Sequence, residues 1–131
     1  MNAFDDLVLD DTSFSWNDLI GQDQWLAWTP VRTGWTDVGT PVVTGRYHLI
    51  GVQCFFQVKV VPGTTCATVA GTSYIALPFS AGGLAGDASM MNQTTLIAIG
   101  NCVFDVANGR VYVPTQTATG NTLTVAGWHE V

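Results

Sequence analysis

Residues 46–61, RYHLIGVQCFFQVKVV, are the part of the chain that decides its fold class. Apolar residues fill most of the even positions, whereas the odd positions are mixed. A period of two places each set on one face of an extended chain and predicts a half-buried antiparallel strand. Gly51 indicates a bulge or bend that divides the stretch, and Pro62 and Gly63 then turn the chain. The predicted apolar face consists of His48, Ile50, Val52, Cys54, Phe56, Val58 and Val60.

Strand-like segments continue to the end of the sequence, separated by Gly, Pro, Asn and Thr. The pair Asn108-Gly109 predicts a two-residue hairpin turn, and Gly100-Asn101 and Gly120-Asn121 are candidates for two more. One segment, residues 17–28, has a pattern compatible with a short helix capped by Asp18. The further predicted strands are Ala67–Ala70, Ser73–Leu77, Thr94–Ile99, Cys102–Val106, Arg110–Pro114 and Thr122–His129.

This spacing predicts an all-β fold, an antiparallel β-sandwich or jelly roll of about seven or eight strands. With 131 residues, the chain is long enough to bury one substantial core. Only 11% of the residues are charged, less than half of the roughly 25% that is usual, so we expect part of the surface to be covered by partners.

Charge divides the chain into two regions. Residues 1–23 contain no Lys or Arg and hold six of its acids, Asp5, Asp6, Asp10, Asp11, Asp18 and Asp23. We therefore predict a short, extended acidic arm at residues 1–24 and a sandwich domain at residues 25–131. A solvated, frayed terminus is the alternative reading of the first region. The net charge of −6 argues against nucleic acid and against an anionic membrane surface as partners.

No short motif of catalysis, phosphate binding or calcium binding is present, so we expect neither enzymatic activity nor a cofactor. His48 and His129 are predicted to be structural or surface residues. Outside the arm, the spacing of Asp37, Asp87, Asp105 and Glu130 does not indicate a glycosidase pair.

Three cysteines are too few and too widely spaced for a zinc site or a complete disulfide framework. Cys54 and Cys102 lie in apolar strands and are predicted to be buried. Cys66, beside a Gly-Thr-Thr turn, is the best candidate of the three for an exposed thiol, and a disulfide between two of the three stays open.

Four tryptophans, Trp16, Trp25, Trp28 and Trp35, lie in the first third of the chain. Exposed indole rings stack on sugars, but they also anchor protein interfaces and fill the ends of sandwiches. The sequence favours the second use and leaves the first open.

Four segments taken together resemble one protein family. They are Trp28-Thr29-Pro30-Val31, Gly45–Gly51, Leu77-Pro78-Phe79 and Val125–Val131. In this order they resemble the C-terminal jelly-roll domain of tailed-bacteriophage tail fibres and related virion proteins. The resemblance covers about residues 25 to 131 and implies a trimeric, non-enzymatic module. Fibre proteins usually carry a long shaft upstream, where this sequence has the acidic arm.

The resemblance and the arm together suggest a capsid decoration, or cement, protein: a homotrimer on the outer surface of the virion, made in the host cytoplasm. Its arm is expected to bind the major capsid protein or another virion protein. The expected partner-binding residues are Phe4, Asp5, Asp6, Leu7, Asp10, Asp11, Phe14 and Trp16.

A tail-fibre or receptor-binding subunit that recognises a host polysaccharide is the alternative. It would bind the glycan through exposed aromatic residues such as Trp35 and Tyr74. An enzyme that degrades capsule or peptidoglycan is a third hypothesis, and it requires a carboxylate pair that the sequence does not indicate.

Overall fold

A computed structural model of the protein describes residues 24–79 and 86–131. Apart from a 3-10 turn at Val106–Asn108, every regular element in these residues is a β-strand. The strands are β1 (Leu26–Trp28), β2 (Arg32–Thr33), β3 (Thr36–Val38), β4 (Val42–Ile50), β5 (Gln53–Val61), β6 (Thr65–Thr68), β7 (Tyr74–Ala76), β8 (Asp87–Asn92), β9 (Ile97–Asn101), β10 (Val103–Asp105), β11 (Arg110–Tyr112), β12 (Gln116–Thr119) and β13 (Leu123–Glu130).

The strands form three antiparallel sheets. The largest has six strands in the order β1-β4-β5-β13-β8-β9. The other two have the orders β10-β11-β7-β2 and β12-β6-β3. Three continuous stretches of the chain run through both of these sheets, because β2 leads into β3, β6 into β7 and β11 into β12. The two smaller sheets are therefore one strand layer that is interrupted midway. The all-β prediction is confirmed, and the arrangement is consistent with a β-sandwich.

One hydrophobic core joins the large sheet to this interrupted layer. Side chains of β5, β8 and β13 meet side chains of β6, β7, β11 and β12, and almost all of them are fully buried. The main contributors are Phe56, Val58, Val60, Met90, Leu123 and Val125 from the large sheet, and Cys66, Ile75, Val111, Val113 and Ala118 from the other layer. Burial of aliphatic and aromatic side chains is the dominant favourable term in folding, so this core holds the domain together.

Hydrogen bonds from side chains bridge the interruption of the smaller layer. The hydroxyl of Ser73 accepts a bond from the Val69 N–H (2.8 Å) and donates one to the carbonyl oxygen of Gly34 (2.7 Å). The hydroxyl of Thr68 donates to the carbonyl oxygen of Pro114 (2.6 Å). Ser73 and Thr68 are both buried. They supply partners to backbone groups that the interrupted ladders leave without one.

The stretch that decides the fold class is a hairpin of two strands, not one long strand with a bulge. The chain reverses at Gly51 and Val52, and Ile50 pairs with Gln53. Gly51 has a φ of 58°, which glycine adopts at little cost. Because the connection has two residues, each even-numbered residue of β5 pairs with an odd-numbered residue of β4. The side chains that point inward therefore have even numbers in β5 and odd numbers in β4. The predicted apolar face is therefore correct for β5 but wrong for His48 and Ile50, and wrong for Val52, which lies in the turn and is exposed.

Several local predictions differ from the structure. Residues 26–28 form β1, so this part of the suggested helix is wrong. The hairpin at Asn108-Gly109 exists, but its loop has four residues, because Asp105 pairs with Arg110. Gly100 and Asn101 continue β9 instead of turning. Gly120, with a φ of 70°, does lie in the turn between β12 and β13.

All three cysteines are free and buried. The prediction for Cys54 and Cys102 is confirmed, whereas the prediction of an exposed Cys66 is wrong. Cys66 belongs to β6 and points into the core, because the strand already begins at Thr65, the last residue of the Gly-Thr-Thr segment. Burial raises the pKa of the Cys54 and Cys66 thiols to about 11 and that of Cys102 to about 12.

Replacing Ser73 by Ala should lower the free energy of unfolding by about 1–3 kcal/mol, because two backbone groups lose their partner. Urea denaturation of the variant and the wild type measures the difference. Thr117→Ala, at an exposed position of β12, is the control and should change stability by less than about 0.5 kcal/mol. Equal effects of the two substitutions would contradict the bridging role of Ser73.

Candidate binding surfaces

The eight residues expected to bind a partner, from Phe4 to Trp16, lie outside the described residues. Their role in binding therefore stays a prediction. The described chain begins at Gln24, next to Trp25 and β1 at one edge of the large sheet.

Trp35 lies where the smaller layer is interrupted, between β2 and β3, and its ring packs against the core. Its indole N–H donates a hydrogen bond to the carbonyl oxygen of Tyr74 (3.2 Å). The guanidinium carbon of Arg32 lies 4.9 Å from the centre of the Trp35 ring. Arg32 also forms a two-pronged ion pair with Asp37, with N–O distances of 3.0 and 3.2 Å. These contacts hold β2 and β3 together across the interruption.

Tyr74 is half-buried on β7 and belongs to a second cluster of rings and charges. Its ring lies 5.4 Å from the ring of Tyr112, and the guanidinium carbon of Arg110 lies 4.5 Å from its centre. Arg110 donates a 2.9 Å hydrogen bond to Asp105, which also accepts one from Asn108. Hydrogen bonds from the Asn108 amide, which has the larger effect, and from Arg110 lower the pKa of the Asp105 carboxyl. Hydrogen bonds from Thr33 and Arg110 lower the pKa of the Tyr74 hydroxyl.

The structure thus brings Trp35 and Tyr74 together, joined by the hydrogen bond from the indole. An arginine lies against each ring, and both arginines are held by aspartates. Each side chain has a structural role, and glycan binding by the pair stays a prediction.

The outer face of the large sheet carries a feature that sequence reasoning missed, a row of aromatic side chains. His48 is opposite Phe55 in the strand pairing, and Phe55 is opposite Trp128. The rings of Trp25 and His48 are 5.5 Å apart, and those of His48 and Phe55 are 6.2 Å apart. These residues are far apart in the sequence, and only the register of β4, β5 and β13 reveals the row.

Beside this row, the same face holds a groove of about 430 Å3. Arg46 marks its boundary with the aromatic row: it donates a 2.8 Å hydrogen bond to the side-chain oxygen of Gln57, and its guanidinium lies 4.9 Å from the ring of Trp25. The groove is lined by Thr44, Gly45, Arg46, Gln57, Val58, Lys59, Gln93 and Thr124.

The segments that carry the family resemblance meet around Phe56. The ring of Trp28 lies 6.4 Å from that of Phe56. A side chain at Gly45 would collide with Trp28 and Pro30, so a glycine is required there. Tyr47, on the strand next to Phe56, packs edge-on against Phe79 at 5.1 Å. Trp28 and Tyr47 thereby pack against the core beside β1.

No protein-family model matches the chain. Comparisons with curated proteins and with solved structures also find no match.

Residues 24–79 and 86–131 contain no cluster of three or more His, Cys, Asp or Glu side chains that could hold a metal ion. In the same ranges, no helix is long and apolar enough to cross a membrane.

His129 is fully buried in the structure, so it is not a surface residue of the described chain. Its ring lies 6.0 Å from the ring of Phe56 and 6.4 Å from that of Phe104. Nδ1 bonds the carbonyl oxygen of Glu130 (2.9 Å), whereas Nε2 is buried with no hydrogen-bond partner. Burial lowers the pKa of the His129 imidazole, because the charged form cannot be solvated there.

This burial makes stability depend on pH. The unfolded chain takes up a proton near pH 6.5 and the folded chain resists it, so the contribution is complete above 6.5 and is lost as the pH falls below it. His129→Leu removes the titrating group. The fall in the free energy of unfolding between about pH 7.5 and about pH 5.5 should therefore be smaller in this variant than in the wild type.

Urea denaturation at the two pH values measures this difference. Val125→Ala, which also removes buried atoms from β13 but no titrating group, is the control and should lower stability by a similar amount at both values. If His129→Leu showed the same pH dependence as the wild type, another group would be responsible.

Proposed function

We propose that the protein is a structural protein of a tailed-bacteriophage particle, a trimeric decoration protein that stabilises the capsid from outside. Its fold is then a jelly roll, and residues 1–24 are the arm that binds neighbouring capsid subunits. The proposal rests on the resemblance of four segments, on the acidic arm and on one observation about the surface of the sandwich.

That observation is an apolar edge. β9 is the outermost strand of the large sheet and β10 that of the β10-β11-β7-β2 sheet, and only Cys102 separates them in the chain. Among the described residues, no strand pairs with their outer sides. Leu96, Ile97 and Val103 lie along this edge and are 81%, 62% and 67% exposed. Unprotected edges of this kind bind further chains, and monomeric proteins usually blunt them with charges or prolines.

The turn before β9 supports the same proposal. Leu96 has a φ of 59°, a left-handed conformation that costs a non-glycine residue about 1–2 kcal/mol. The side-chain oxygen of Asn92 stabilises the turn by accepting bonds from the N–H groups of Thr94 (3.1 Å) and Thr95 (3.0 Å). Strained backbone is concentrated at functional sites, and here it holds an exposed leucine at the proposed interface.

Charge is also consistent with a surface that is covered in an assembly. Arg32 and Arg110 are already paired with Asp37 and Asp105 inside the chain. These two arginines are therefore not available to an acidic partner, which leaves Arg46 and Lys59, whereas the arm carries six aspartates. The arm is suited to a basic surface on another protein, and three arms per trimer would multiply weak contacts.

Ile97→Lys should convert the trimer to monomers, because three buried ammonium groups would meet at the proposed interface. Sedimentation of the wild type and the variant measures the change. Val38→Lys, at an exposed apolar position on β3, is the matched control and should remain trimeric. A monomeric wild type, or a trimeric Ile97→Lys variant, would contradict the proposed interface.

Deleting residues 1–23 should abolish binding to phage heads that lack this protein, while the trimer remains. Replacing Asp5, Asp6, Asp10 and Asp11 by Asn in the full chain should weaken binding and remove most of its dependence on salt. Co-sedimentation with tailless heads measures both effects, and bound copies should occur in multiples of three. If the full chain does not bind heads, the decoration function is wrong.

A further inference from the structure

The groove on the outer face of the large sheet has the properties of a binding site. Its volume of about 430 Å3 lies in the range of small-molecule sites, roughly 300–1,000 Å3. Two of the four basic residues of the chain, Arg46 and Lys59, line it. Among residues 24–79 and 86–131, the side chains that line it include no carboxylate, although the chain as a whole is acidic. Positive charge is therefore concentrated at this place.

Hydrogen-bond donors outnumber acceptors in the groove. Arg46 uses its Nε–H on the side-chain oxygen of Gln57, which leaves the two terminal nitrogens of Arg46 and the amide NH2 of Gln57 as donors. Thr124 donates to the side-chain oxygen of Gln93 (3.2 Å), which leaves the amide NH2 of Gln93. Lys59 adds an exposed ammonium group. A ligand that fits must supply acceptors, and two cations favour anionic ones.

Trp25 adds a partly exposed aromatic ring beside the groove. It is 38% exposed, and the guanidinium of Arg46, which lines the groove, lies over its ring. Aromatic rings beside polar donors suit a ligand with both an apolar face and many oxygens. A pyranose ring with carboxylate and hydroxyl groups meets both conditions.

The backbone of the groove argues against a peptide. Extended peptides bind to sheets mainly through main-chain hydrogen bonds at an open edge. Here β5 lies in the interior of the sheet, paired with β4 on one side and β13 on the other. Its N–H and C=O groups are used in these ladders, so only side chains are available to the ligand.

We propose that this groove binds a carboxylate-bearing saccharide. Arg46 and Lys59 bind the carboxylates, the amides of Gln57 and Gln93 and the hydroxyl of Thr44 bind ring oxygens and hydroxyls, and the exposed edge of Trp25 contacts the apolar side of a sugar ring. The site lies on the large sheet, away from Trp35 and Tyr74. It does not depend on the proposed binding to phage heads, and each can fail without the other.

Isothermal titration of the full chain with a trimer of galacturonic acid at low salt tests the proposal. Binding is expected, and it should weaken as salt is added. Maltotriose, a neutral trisaccharide, should bind at least about tenfold more weakly, because it lacks the charged acceptors. Arg46→Gln, Lys59→Gln and Trp25→Ala should each weaken galacturonate binding by about tenfold.

Thr117→Glu is the control for net charge. It lowers the charge of the chain by one, as Lys59→Gln does, but at an exposed position on β12 in the other layer. Its affinity should stay within about twofold of the wild type. Thermal unfolding of each variant shows whether the domain remains folded.

Three results would overturn the proposal. The first is no binding of the galacturonic acid trimer at low salt. The second is binding that Arg46→Gln and Lys59→Gln leave unchanged. The third is displacement of the saccharide by a synthetic peptide of residues 1–23 that binds more tightly, because the groove would then be a site for an acidic peptide.

Discussion

The fold depends on how the smaller strand layer remains intact where its ladders are interrupted. Strand pairing stops at the same place in all three stretches of chain that form this layer. The backbone N–H and C=O groups there need hydrogen-bond partners that neighbouring strands do not supply. Ser73 and Thr68 supply them from buried positions, and Trp35 adds a bond from its indole to Tyr74. These bonds hold the strands side by side over the part of the core around Ile75 and Val111.

The sequence predicted the fold class and the buried face of β5, because a period of two is a local property of the chain. It could not predict which residues of β4 point inward. That depends on the two-residue turn at Gly51 and Val52, and the same composition also fits a bulged single strand. Cys66 shows the same limit: a position beside a turn appears exposed until the strand that begins there is placed over the core.

The groove and the aromatic row could not be predicted for a different reason. Arg46, Gln93 and Thr124 are distant in sequence and meet only through the order of β4, β5, β13 and β8. Sequence reasoning selected Trp35 and Tyr74 because they are aromatic and lie near turns. In the structure their rings lie against arginines that balance aspartates, whereas Trp25, grouped with the other tryptophans, borders the groove.

The position of β13 has a consequence for how the protein is made. This strand lies between β5 and β8 in the large sheet, and it pairs Glu130 with Gln53. It is synthesised after both of its neighbours, so the edges of β5 and β8 that face it remain unpaired until β13 has been made. Pairings between such distant residues form slowly. The nascent chain is therefore most prone to aggregation before β13 has joined the sheet, and chaperones that shield strand edges should act at that stage.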